Sequence, residues 1–155
     1  MKIGIIVYSQ TGNTLSVAEK VKAKLEARGH AVVIEKVELA AAPTMKDPHV
    51  NITVAPDASK YDAVIFGAPV QAFRLCAAMQ AYMDQLGTLD GKKVACFITK
   101  GLKGAWTGGN GALKALKTFC ESRGGQAVAS GMVIWPVKDR EQSIETLAED
   151  LAKAF

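Results

Sequence analysis

The chain has 155 residues, 49% of them hydrophobic, which suffices for one well-packed domain spanning 1–155 and falls short of two. Its formal charge of +4 arises from 19 Lys and Arg against 15 Asp and Glu, spread along the chain rather than massed, so a solvated surface is expected and no nucleic acid. No apolar run approaches the ~20 residues of a membrane span. Cys76, Cys96 and Cys120 form neither a CxxC pair nor a ligand cluster, which points to reduced thiols in a soluble cytoplasmic protein without a metal.

Ile3-Gly4-Ile5-Ile6-Val7 is rich in β-branched residues, the pattern of a central parallel strand buried on both faces. Ser9-Gln10-Thr11-Gly12-Asn13-Thr14 comes next, and then Leu15, Ala18, Val21 and Leu25 recur at helical spacing until Gly29. A turn of hydroxyls and amides that opens a helix offers an anion free backbone N–H groups, the positive end of the helix dipole and side-chain donors. The lysine of a nucleotide triphosphatase loop is missing, and so are two of the three glycines of a dinucleotide fingerprint, so one terminal phosphomonoester fits best. In this position Ser/Thr-x-Thr-Gly-x-Thr/Ser resembles the phosphate-binding motif of flavodoxins and flavodoxin-like FMN proteins, and every element of it matches. The resemblance implies FMN as cofactor, with Ser9, Gln10, Thr11, Gly12, Asn13 and Thr14 around its phosphate.

Residues 31–37 read as a second strand and 61–67 as a third. Between them Pro43, Pro48 and Pro56 break any periodicity, so the helix expected there is short, irregular or replaced by a loop. Leu75, Cys76, Met79, Tyr82, Met83 and Leu86 form an apolar helical stripe that ends at Gly87. Residues 94–98 form a fourth strand, 110–122 a helix and 126–135 a fifth strand, and Ile144, Leu147, Ala148 and Leu151 mark a last helix. Cys76 and Cys96 read as small core residues, and His30 and His49 stand alone. Alternating strands and helices predict an α/β fold with right-handed crossovers. The resemblance sharpens this to a flavodoxin-like three-layer sandwich with a five-stranded parallel sheet in the order 2-1-3-4-5. Ligands then bind at the carboxyl ends of the strands, where the order reverses.

Two further loops should converge on that point. Ala68-Pro69-Val70-Gln71-Ala72-Phe73 follows the third strand, where flavodoxin-like proteins line the isoalloxazine, and Gly67-Ala68-Pro69 resembles the quinone-reductase branch of the superfamily. Pro69 stiffens this wall and biases Ala68 toward extended geometry. Thr99, Lys100, Gly101 and Gly109 lie in the glycine-rich loop after the fourth strand, together with Trp106, which either stacks on the flavin or packs as a lid on the last helices. Trp135, Tyr8 and Phe73 read as packing residues.

Flavodoxins that carry low-potential electrons surround the flavin with acidic residues and use a glycine in the second loop. This chain has no glycine from Pro69 to Phe73 and carries Arg74, Lys100 and Lys103 in or beside the site. A lysine aimed at the ring would stabilise reduced anionic flavin, whereas a solvated one would do little. Two functions follow from the resemblance. One is an FMN-binding electron-transfer protein that docks a redox partner; the other is an FMN-dependent NAD(P)H oxidoreductase acting on quinones or similar acceptors. A phosphoacceptor receiver of the same fold is excluded, because Tyr8-Ser9 and Phe66-Gly67 stand where its carboxylates would be.

Overall fold

The structure is a computed structural model and describes residues 1–104 and 107–155. Five strands, β1 (Lys2–Val7), β2 (Ala31–Lys36), β5 (Ala63–Gln71), β7 (Lys93–Lys100) and β8 (Gln126–Ile134), form a parallel sheet in the order β2-β1-β5-β7-β8. This is the order that the resemblance implied. β1, the most apolar of the short strands, is buried from Ile3 to Val7, as a strand covered on both faces must be.

Helices α1 (Asn13–Ala27) and α4 (Arg140–Lys153) cover one face of the sheet. Val17, Val21 and Leu25 pack there with Ile144, Leu147 and Leu151 over Ile3, Ile5, Ile65 and Phe97. Lys24 bridges Glu145 and Glu149 between the two helices, and Arg28 also pairs with Glu149. These exposed pairs steer the helix contact more than they stabilise it. The opposite face carries α2 (Ala77–Asp84) and α3 (Gly109–Ser122), with Phe66, Met79, Tyr82, Met83 and Leu116 in its core.

The crossover from β2 to β5 departs from regular alternation, as the three prolines foretold. In place of an α-helix it holds the two-stranded antiparallel pair β3 (Glu38–Leu39) and β4 (Ile52–Val54), then one 3-10 turn, Ala58–Lys60, whose Ser59 N–H donates to the Asp57 carboxylate at 2.9 Å.

The apolar stripe beginning at Leu75 is only partly helical. Leu75 lies in a short strand β6 (Arg74–Leu75), antiparallel to the end of β5, and Cys76 is the extended residue that precedes α2. Both remain fully or nearly fully buried, so periodicity reported their burial correctly and their conformation wrongly. Burial pushes the Cys76 thiol up to about 12. The Cys96 and Cys120 sulfurs lie 3.8 Å apart in the same core, and their contact, reinforced by burial, raises the Cys96 thiol as well. Such thiols behave as small apolar groups. Among the described residues no helix is long and apolar enough to cross a membrane.

Candidate functional site

At the carboxyl end of β1 the chain turns through Gly12, whose φ of +91° is the left-handed geometry that lets the turn deliver Asn13 straight into α1. The first intrahelical bond runs from Ser16 N–H to the Gly12 carbonyl at 3.0 Å, so the N–H groups of Asn13 and Thr14 precede the helical ladder. The Leu15 N–H is capped by the Ser9 hydroxyl at 3.2 Å. No acidic residue stands in the first turn of α1, so the positive helix end is left uncompensated by the chain itself. Gln10, Thr11 and Gly12 are exposed around it, while Thr14 is 1% exposed and its hydroxyl is hydrogen-bonded to that of Thr99 at 2.8 Å. Thr14 thus also fastens the loop to the end of β7.

β5 runs past the residues read as a loop. Pro69, Val70 and Gln71 continue the strand and then turn back into β6, with Val70 opposite Leu75 and Gln71 opposite Arg74. The two residues of the turn, Ala72 at φ +51° and Phe73 at φ +61°, show the paired positive φ of a type I′ hairpin, a geometry that normally selects glycine or asparagine. The tip carries strain of about 1–2 kcal/mol per residue. Ala72→Gly removes one such term and returns part of it through a more flexible unfolded chain, so stability should rise by about 0.5–1 kcal/mol. A urea midpoint that moves up at constant slope confirms this, and one that falls contradicts it.

Ten residues enclose a cavity of about 230 Å³ between the three loops: Gln10, Thr11, Asn13, Thr14, Pro69, Val70, Gln71, Thr99, Lys100 and Gly101. The Gln71 side-chain amide donates to Gln10 Oε1 at 2.7 Å and ties the first loop to the second. A neighbouring cavity of about 140 Å³ shares Val70, Lys100 and Gly101 and adds Ala72, Phe73, Leu102 and Thr107. Phe73, read as a packing residue, is 57% exposed on this second cavity, whereas Tyr8 is buried as expected.

Four of the expected contact residues that the structure describes do not line the cavities: Ser9 and Gly12, which cap and turn the first loop, and Ala68 and Gly109. Ala68 is wholly buried in β5 opposite Ile98, and Gly109 is buried beneath the Lys100 side chain. Trp106 lies outside the described residues. Thr107 and Gly108 were missed, although a Gly-Gly pair opening a helix was a usable signal. A side chain at Gly108, φ +89°, would place its Cβ 1.9 Å from the Phe73 carbonyl oxygen, so the tip of the hairpin is keyed directly against the third loop. Lys103 is exposed, as a solvated lysine should be, but Lys100 is not.

The N-terminus of α1, where backbone donors and dipole converge, could hold a phosphate, and the adjoining cavity beside the hairpin and third loop could receive the rest of the ligand. The comparisons agree with that geometry. The family model described as flavodoxin matches residues 5–150, and the chain belongs to the flavodoxin family. That family is one of FMN-binding proteins.

Among solved structures, flavodoxin 2 of Bacillus cereus superposes with a TM-score of 0.72 at 22% identity, covering all of both chains. A NAD(P)H dehydrogenase (quinone) of Azorhizobium caulinodans is 31% identical over 111 residues, 63% of this chain and 56% of its own length. Protoplast secreted protein 2 of Saccharomyces cerevisiae is 28% identical over 66% of this chain and 59% of its own. The chain therefore spans little more than half the length of these curated relatives.

Proposed function

We propose that the chain is a small FMN electron carrier that exchanges electrons with a docked redox partner at the open mouth of the two cavities, in the cytoplasm. The seat at the start of α1 carries this reading: free N–H groups of Asn13 and Thr14, the hydroxyl of Thr11, and no acidic side chain in the first turn. Bound FMN supplies the redox chemistry, and the chain supplies position and electrostatics. Pro69, Val70 and Gln71 would wall one side of the ring, with Gly101 and Leu102 on the other. No Asp, Glu or His lines either cavity among the described residues, which suits a protein that moves electrons without a general acid or base.

The second reading is a reductase that takes a hydride from NAD(P)H and passes electrons to a quinone. It is supported by the named activity of the Azorhizobium caulinodans relative and by the cationic side chains around the site. A potentiometric titration followed by absorbance separates the two. Two resolved one-electron steps, with NAD(P)H left unconsumed, support the carrier; one two-electron step with NAD(P)H oxidation coupled to quinone reduction overturns it. Colourless protein that fails to take up added FMN overturns both.

A further inference from the structure

Lys100, the last residue of β7, has a side chain folded inward and is only 6% exposed. Its Nζ donates to the Gly104 carbonyl and to Thr107 Oγ1, each at 2.9 Å, which leaves the third donor of the ammonium unassigned. Among the described residues no carboxylate forms an ion pair with it. Its surroundings are already electropositive, since a Cβ built on Gly109, the first residue of α3, would lie 3.2 Å from Nζ, and the first turn of α3 has no acidic residue. Cation and helix end reinforce one another. The three loops, 8–14, 68–74 and 99–109, contain Arg74, Lys100 and Lys103 and no Asp or Glu at all.

A buried ammonium with no counter-charge is costly, and the cost is offset when an anion arrives beside it. The phosphate has its own seat at α1. Lys100 is shared by both cavities: the first also carries Thr11, Asn13 and Thr14, whereas the second, with Ala72, Phe73 and Leu102, lies on the side of the hairpin and third loop, away from α1. An oxidised flavin ring is neutral, but a ring that has taken up two electrons from a redox partner and one proton from solvent carries one negative charge.

We infer that Lys100 is the counter-cation of the reduced FMN ring, a positioning residue that holds the ring anionic and raises the potential of the bound cofactor. This rests on the FMN reading above. Burial makes the interaction strong and insensitive to salt, unlike that of exposed Lys103.

The test is the two-electron midpoint of FMN-loaded protein, read against reference dyes. Wild-type protein binds reduced FMN more tightly than oxidised FMN, so its midpoint lies above that of free FMN. Lys100→Met lowers the ratio of reduced to oxidised affinity at least tenfold, a fall of about 30 mV for two electrons, at low and high salt alike. Lys100→Arg keeps the wild-type ratio, and Lys103→Met stays close to it. A wild-type midpoint below that of free FMN overturns the inference without any variant, as does a Lys100→Met protein that binds oxidised FMN and keeps the wild-type midpoint. Protein that binds no FMN removes the function proposed above instead.

Discussion

Thr11→Ala combined with Thr14→Ala should weaken FMN by about two to four orders of magnitude and riboflavin far less. A hydroxyl that donates to a charged phosphate would contribute roughly 1.5–3 kcal/mol, so the pair would amount to about 3–6 kcal/mol, and riboflavin has no phosphate to lose. Thr14 brings a second, ligand-independent cost. Removing its hydroxyl leaves that of Thr99 buried at 3% exposure without the bond between them, a penalty of about 1–3 kcal/mol in stability. Thr14→Ser restores that bond and serves as the control for it. Fluorescence titration with both flavins is the measurement, and equal weakening of the two would mean that the loop does not hold a phosphate.

The second large effect belongs to Gly108→Ala. The new methyl would meet the carbonyl oxygen of Phe73 at 1.9 Å and its carbon at 2.3 Å, both backbone atoms, so no flexible side chain can yield. Left-handed backbone on an alanine costs about 1–2 kcal/mol and the forced separation about 1–3 more, which gives a loss of roughly 2–5 kcal/mol. The urea midpoint should fall at unchanged slope, and FMN affinity should fall with it as the hairpin and third loop part. A midpoint equal to wild type would show that the two loops are not in contact.

Which parts of this were legible from residues alone follows from how local their causes are. The strand, turn and helix around Gly12 were readable because they are contiguous, and each has its own signal between Ile3 and Leu25. The strand order followed once alternation and motif were recognised, since few topologies accept that sequence of elements. The absence of a helix after β2 was announced by Pro43, Pro48 and Pro56, but the pairing of Glu38–Leu39 with Ile52–Val54 was not, because strands of two or three residues exist only through their partner.

The hairpin after Pro69 stayed hidden for a related reason. Gln71-Ala72-Phe73-Arg74 lacks the residues a type I′ turn normally demands, and its tip is packed against Gly108 of the third loop, 35 residues after Phe73 in the sequence. Whether Lys100 points inward or into solvent stayed open in the sequence, because its burial depends on Gly104 and Thr107 meeting its ammonium. A cation at the end of an apolar strand looks the same in sequence whether it points to water or to a cavity.

Thr99 and Lys100 are consecutive on β7, opposite Pro69 and beside Val133 and Ile134 in the ladders. One fastens the first loop through Thr14, and the other presents its ammonium to the third. A slip of β7 by one residue would exchange them, driving a charge into the hydroxyl contact and a hydroxyl into the charged niche. On the role proposed for Lys100, the alignment of β7 between β5 and β8 would thus reach the redox behaviour at the rim of the sheet, and a core substitution that loosened β7 would shift the potential.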